Sequence, residues 1–324
     1  MNSLSSLVRK VIRFNIMRTI AVIDLGSNSS KLLVASVNQL NEIRKVFEKT
    51  ISCRLASEIT KNGQFRLDAD KISQLLEIVR ELHAAALKLN PAKVIVVGTE
   101  ALRKVSNQGV IQESIRSNSG LELIILSGTQ EASGIAAGIA TDPFFREVED
   151  FHAFDLGGGS MELIEFNSGN LKVAKSLPLG AVRLTEQFFP DPAKPIRGES
   201  LHLIAQHVHK ELTTKFSETS SKCKILGATG GALVFCRKLL IGPEIEGDGK
   251  KMPLEFFQSL LPEISELSLS DRLKKYPEIP GDRLDIMPAA LTTIIELMKF
   301  LHINELIHSL HNLRFGIAAN FQNF

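Results

Sequence analysis

At 324 residues the chain is long enough for two domains, each with a sizeable core. With 44% hydrophobic and 23% charged residues and a formal net charge of +2, it is an ordinary globular composition without a strong global field. Any polyanionic partner would have to be met by a local basic patch, and one Tyr with no Trp offers little for stacking nucleic-acid bases. Cys53, Cys223 and Cys236 are isolated and lack C-x-x-C spacing, which argues against a disulfide framework or structural zinc and for a reducing, cytoplasmic setting. No stretch reaches the length of a membrane span.

Residues 1–17 carry Arg9, Lys10 and Arg13 among scattered apolar residues, without a continuous apolar region or a small-residue cleavage pattern. They read as a frayed N-terminal extension rather than a signal peptide, and Met17 is a plausible functional start. Thr19 to Val34, TIAVIDLGSNSSKLLV, is a period-two hairpin around a short polar loop, and 37–52 reads as a third strand. Asn62-Gly63 marks a turn. A helix starts at Asp68, with Ile72, Leu75, Leu76, Val79, Leu82 and Ala86 forming a stripe that needs a sheet to cover, and Pro91 closes it. The buried-type strand Lys93 to Gly98 completes a strand–helix–strand unit, so the class is α/β. Polar residues just past the carboxyl end of such a strand are where open α/β sheets put ligands, which singles out Arg103 as a fork for phosphate; otherwise it is a solvated surface arginine.

A helix over 107–117 and a strand over 121–126 follow. The chain then enters Ser127-Gly128-Thr129-Gln130-Glu131 and a helix rich in small residues. Glu131 is either a carboxylate satisfying a helix N-terminus or one placed to deprotonate a water. Residues 141–150 look like a linker. Phe151 to Phe166, FHAFDLGGGSMELIEF, is a second hairpin whose turn is Gly157-Gly158-Gly159-Ser160. Backbone without Cβ atoms lets several N–H groups approach one anion, although a tight hairpin with no ligand has the same pattern. Asp155 and Glu162 beside such a loop would repel an anion unless a divalent cation lay between. This hairpin repeats the first: Asp24-Leu25-Gly26 aligns with Asp155-Leu156-Gly157, Ser29 with Ser160, and Lys31 with Glu162. Two copies imply two similar halves, with a ligand in the cleft between them.

Further on, a strand over 171–176 precedes LPLGAVRLT, where Gly180 offers another close backbone approach. The helix over 199–216 carries His202, His207 and His209, spaced wrongly for a shared metal. A short strand at Lys224 to Leu226 feeds a third glycine cluster, Gly227 to Gly231. Helical pattern covers 254–267, kinked or divided by Pro262, then comes a basic polar segment. Asp285 is a cap or a site residue ahead of a helix over 288–300.

These segments together resemble the exopolyphosphatase / guanosine pentaphosphate phosphatase (Ppx/GppA) family of the actin, Hsp70 and sugar-kinase superfamily. The matches are AVIDLGSNSSKLLV, VGTEALRKVSN, ILSGTQEASGIAAG, FDLGGGSMELIEF, SLPLGAVRLTEQF, LGATGGALV, GDRLDIMPAAL and SLHNLRFGIA, in that order. The resemblance implies two ribonuclease H-like (actin-like ATPase) domains, 18–140 and 141–303, with a C-terminal helix over 304–324 packed back on the first. It implies metal-dependent hydrolysis of a terminal phosphoanhydride in polyphosphate or pppGpp, with Glu131 as catalytic base and Arg103 as substrate-binding arginine. It further implies Asp155, Glu162 and Asp24 as carboxylates for Mg²⁺ or Mn²⁺. Ser27, Asn28 and Ser29, with Gly157, Gly158, Gly159 and Ser160, would line the phosphate loops. A homodimer is the family expectation, with no nucleic-acid or membrane partner. A guanosine tetraphosphate or polyphosphate sensor and an ATP-dependent kinase are the alternatives from the same superfamily. Three departures stand out: Gln130 where a second glutamate is common, Ser30 where the family has an aromatic residue, and Phe315 where it favours Glu.

Overall fold

Two hairpins organise the two halves of the chain, and each becomes the middle of its own sheet. The computed structural model describes residues 17–39, 42–55, 66–216, 223–242, 250–277 and 279–324, so the extension over 1–16 and the Asn62-Gly63 turn lie outside the described residues. The first strand, β1 (Arg18–Leu25), pairs antiparallel with β2 (Ser29–Val37), which pairs with β3 (Ile43–Ser52). Its other side pairs in parallel with β4 (Lys93–Gly98), which pairs with β5 (Leu123–Ile125), giving the order β3-β2-β1-β4-β5. Ile20 to Ile23 are fully buried because a central strand is covered on both faces. At the edge, β3 carries Arg44, Lys45, Glu48 and Lys49, charges that discourage pairing with another chain.

Helix α1 (Ala69–Leu87) starts where Asp68 accepts the Lys71 N–H at 2.8 Å, and it buries Leu75, Ile78, Val79, Leu82 and Ala86. The short α2 (Glu100–Lys104) and α3 (Gln108–Ser119) follow β4, and Gly120 ends α3 at φ 70. Helix α4 (Gly128–Ile139) opens with a capping box in which Gln130 N–H donates to Ser127 Oγ and Ser127 N–H donates to Gln130 Oε1. Gln130 therefore has a backbone task that a glutamate would also perform.

The second sheet begins with β6 (Phe151–Leu156) antiparallel to β7 (Met161–Asn167), which pairs with β8 (Asn170–Leu177). On its other side β6 runs parallel to β9 (Leu226–Gly230), followed by β11 (Glu305–His308) and β10 (Lys250–Pro253). The order β10-β11-β9-β6-β7-β8 repeats the logic of the first sheet: a hairpin, a third strand, and a parallel neighbour to the hairpin's first strand. Its helices are α5 (Ala181–Phe188), α6 (Gly198–Phe216), α7 (Gly231–Ile241), α8 (Leu254–Ser265), α9 (Leu269–Lys275), α10 (Gly281–Leu284) and the largely buried α11 (Met287–Phe300). His207 and His209 on α6 pack against Phe188 and Phe300.

Four expectations change. The strand before the third glycine cluster lies later than Lys224 to Leu226, and the cluster itself is strand up to Gly230. Gly227 fits there because a Cβ would stand 2.8 Å from the Phe145 ring. Pro262 sits inside α8 without dividing it. The basic polar segment contains α9, capped by Ser268 accepting from the Asp271 N–H. Finally, 304–324 is not one helix: Glu305–His308 is a strand of the second sheet, and only α12 (Leu313–Ala319), with a last turn at Phe321–Asn323, is helical. Four residues such as ELIH are too few to carry a period that separates strand from helix, and pairing with β9 and β10 decides it.

Helix α12 packs on α4 through glycine. A Cβ on Gly316 would overlap the Gly134 carbonyl oxygen and stand 2.7 Å from Gly138 N. The chain accordingly divides into one compact unit that runs to Thr141 and takes back Leu313–Phe324, and a second from Asp142 to Asn312. Each has its own apolar core, around Leu32, Leu75 and Leu102 in the first and around Phe154, Leu233 and Leu291 in the second. Among the described residues, no helix is long and apolar enough to cross a membrane.

Candidate active site

In the first unit the carboxyl ends of β1, β4 and β5 meet, tied by Leu126 N–H donating to Gly98 O at 2.9 Å. The β1–β2 loop closes tightly, with a Cβ on Gly26 only 3.0 Å from Ser29 O. Ser27, Asn28 and Ser29 are all buried. Ser27 Oγ donates to Glu100 Oε2 at 3.1 Å, and Glu100 also pairs with Lys104. Asn28 O accepts from the N–H groups of Cys53 and Arg54, both at 3.1 Å, so the loop is pinned to the end of β3. The Cys53 thiol reaches Gly26 O at 3.7 Å, and Ser30 Oγ reaches Cys53 Sγ at 3.5 Å. A small residue at 30 leaves this contact room.

Asp24 lies at the end of β1 directly opposite Lys31. Burial raises its carboxyl above the usual range, against the lowering fields of Lys31 and Arg314, and its Oδ1 has no hydrogen-bond partner among the described residues. Arg314, on α12, is itself buried; it donates to Leu32 O at 3.2 Å and pairs with Glu48 at 2.5 Å.

Arg103 and Glu131 come together. Arg103 Nη1 donates to Glu131 Oε2 at 2.8 Å and to Leu126 O at 2.7 Å. The carboxylate is buried at the start of α4, while a quarter of the Arg103 side chain stays exposed. Arg103 is thus neither a free surface arginine nor fully engaged.

In the second unit, Asp155 and Glu162 are directly opposite across β6 and β7, on one face of the sheet. Ser176 Oγ donates to Glu162 Oε1 at 2.7 Å. The Gly157–Ser160 loop joins them and folds like the first, with a Cβ on Gly157 3.1 Å from Ser160 O. Gly230, at φ 125, ends β9 against this loop: a Cβ there would stand 2.6 Å from Leu156 O and 3.1 Å from Asp155 Oδ1. The third glycine cluster therefore serves the same edge of the sheet. Arg283 lies against Gly231, the first residue of α7.

Asp155 and Glu162 side by side in the second unit offer hard oxygen donors of the kind Mg²⁺ takes, commonly one or two carboxylates; Asp24 in the first unit is a separate carboxylate of the same chemistry. Among the described residues, no group of three or more His, Cys, Asp or Glu gathers as a metal cluster.

The Ppx/GppA phosphatase family matches residues 33–321, most of the chain. The chain belongs to this family. The chain is 28% identical over 181 residues to exopolyphosphatase 1 of Mycobacterium tuberculosis, covering 53% of this chain and 49% of that protein. A bifunctional 3-dehydroquinate synthase/phosphatase of Fusobacterium nucleatum is 28% identical over 176 residues, 52% of this chain and 26% of that protein. The matches thus span about half of the first and a quarter of the second. Among solved structures, an exopolyphosphatase from Cytophaga hutchinsonii superposes with a TM-score of 0.84 at 21% identity, covering 94% of this chain and 98% of that one. A Ppx/GppA family member from Aquifex aeolicus gives 0.80 at 21%, covering 95% and 98%. The fold is the two-domain actin-like ATPase fold of these family structures.

Four polar residues at these edges escaped the sequence: Glu100, Arg183, Arg283 and Arg314. Ser27 against Glu100, the Gly159 carbonyl against Arg183, and Glu48 with the Leu32 carbonyl against Arg314 are distant in the chain, so spacing gives no sign of these contacts. Only the Gly180-x-x-Arg183 step, beside a glycine already expected to make a close approach, held a local hint.

Proposed function

We propose that this family member hydrolyses a terminal phosphoanhydride, releasing orthophosphate from inorganic polyphosphate or converting pppGpp to ppGpp. The observation that carries the reading is the Arg103–Glu131 pair at the carboxyl ends of β4 and β5, where a half-free guanidinium orients a buried carboxylate. Glu131 takes a proton from water as its oxygen attacks the terminal phosphorus; the bridging P–O bond breaks and its electrons leave with the shortened chain. Arg103 and the backbone N–H groups of Gly158, Gly159 and Ser160 hold phosphoryl oxygens, with Ser27, Asn28 and Ser29 doing the same in the first unit. Positioning and electrostatics supply most of the rate enhancement in such reactions. Asp24 in the first unit and Asp155 and Glu162 in the second are the carboxylates that would hold Mg²⁺ or Mn²⁺, which supplies positive charge to the phosphoryl oxygens when bound.

The test is phosphate release from defined-length polyphosphates and from pppGpp, each with and without Mg²⁺, by wild type and Glu131→Gln. We expect metal-dependent release by wild type and a fall in kcat of about 10²-fold or more in the variant, with binding retained. Equal turnover by Glu131→Gln would remove that residue as the base. Binding without release by wild type would instead make the protein a sensor of these phosphates.

A further inference from the structure

The carbonyl oxygens of the Gly157–Ser160 loop are captured one after another by the start of α5. Ala181 N–H donates to Gly157 O at 3.0 Å, Arg183 N–H to Gly158 O at 3.1 Å, and Arg183 Nε to Gly159 O at 2.8 Å. The loop is pressed onto this turn so closely that a Cβ on Gly180 would overlap Gly158 O, Gly159 C and Ser160 N. In a planar trans peptide the carbonyl and the following N–H point in opposite directions. Fixing three successive carbonyls on one side therefore turns the next three N–H groups, of Gly158, Gly159 and Ser160, to the other. A glycine run has the largest choice of backbone conformations, so it needs such an external hold to keep one of them.

We infer that Arg183 is a positioning residue for phosphate binding: its side chain sets the Gly159–Ser160 peptide so that the Ser160 N–H faces an incoming phosphate oxygen. The backbone of α5 fixes the two preceding peptides whatever residue stands at 183, whereas the third hold comes from the Arg183 side chain. The inference rests on the phosphate-hydrolysing reading above. The loop's N–H groups serve bound substrate and transition state alike, so weakening one of them raises KM more than it lowers kcat.

The experiment compares wild type, Arg183→Met, which keeps the length of the stem without a donor, and Arg183→Lys, which keeps a donor. Each is measured for melting temperature, for steady-state phosphate release from tripolyphosphate with Mg²⁺, and for amide hydrogen exchange over 156–161. We expect Arg183→Met to melt within a few degrees of wild type, with KM raised roughly tenfold or more, kcat changed less than about threefold, and faster loop exchange. Arg183→Lys is expected to recover a good part of the KM and of the protection. An unchanged KM in a folded Arg183→Met protein, a loss confined to kcat, or no recovery by lysine would overturn the inference. Should Arg183→Met fail to fold, Arg183→Leu, which has no donor to offer Gly159 O, carries the same comparison. If wild type releases no phosphate, the hydrolase reading falls, and hydrogen exchange alone decides: loop exchange unchanged by Arg183→Met overturns the positioning role, and faster exchange restored by lysine upholds it.

Discussion

Glu131 and Arg103 form an ion pair at 2.8 Å. Arg103 Nη1 bridges that carboxylate and the Leu126 carbonyl, a planar two-acceptor geometry a lysine ammonium does not reproduce while also offering a fork to phosphate. Arg103→Lys should lower kcat/KM by about ten- to hundredfold even though the charge is kept. Because the pair acts as one device, Arg103→Lys combined with Glu131→Gln should cost little more than the worse single change. Losses that multiply in the double variant would show that the two residues act separately. Glu100 is the residue a reader of the sequence passes over. Its burial between Ser27 and Lys104 makes it a support for the first loop, since Ser27 is one of the residues expected to face phosphate.

The element that depends most on a missing side chain is α4. The sequence shows this helix only as rich in small residues, and the structure gives them a use. Gly134 and Gly138 let α12 come close enough that Gly316 touches their backbone, and the Leu313 side chain packs where a Cβ on Gly134 would stand, 2.6 Å away. Gly316→Ala should therefore destabilise the protein by roughly 3 kcal/mol, the overlap being with backbone that cannot swing aside. A chemical denaturation midpoint unchanged from wild type would show that α12 shifts freely on α4. The same contact brings Arg314 to Leu32 on β2, so a closing helix from the far end of the chain reaches the field around Asp24.

For the molecule as a whole, pH acts through a buried histidine in the second sheet. Among the described residues neither ring nitrogen of His308 has a hydrogen-bond partner, and burial, with the nearby Arg237 charge adding to it, depresses its pKa from 6.5 to about 3. The folded protein thus keeps this ring neutral while the unfolded chain takes up a proton. The stability it contributes is fully present above about pH 6.5 and is lost as pH falls toward about 3, at up to about 1.4 kcal/mol per pH unit. Burial lowers the pKa of His152 on β6 as well, so two protons share the slope. Urea denaturation at pH 7 and pH 5 should show a clear loss in wild type and a smaller one in His308→Leu. An identical loss in that variant would place the pH sensitivity elsewhere.

Sequence alone was sufficient for the features that repeat or that follow a short period. The two Asp-x-Gly hairpins, the stripe of α1, the strand Lys93–Gly98 and the close approach at Gly180 were all legible, because each is fixed by neighbours a few residues away. The order of motifs likewise pointed to the family. What only the tertiary structure decided depends on partners distant in the chain. The glycines of 227–230 became a strand because Phe145 and β6 needed their backbone close, and ELIH became a strand because β9 and β10 had open edges for it. The pairing of Arg103 with Glu131 and the hold of Arg183 on Gly159 were settled in the same way. Local pattern specifies which way a backbone runs; which side chains then meet is set by the packing of segments that the sequence keeps apart.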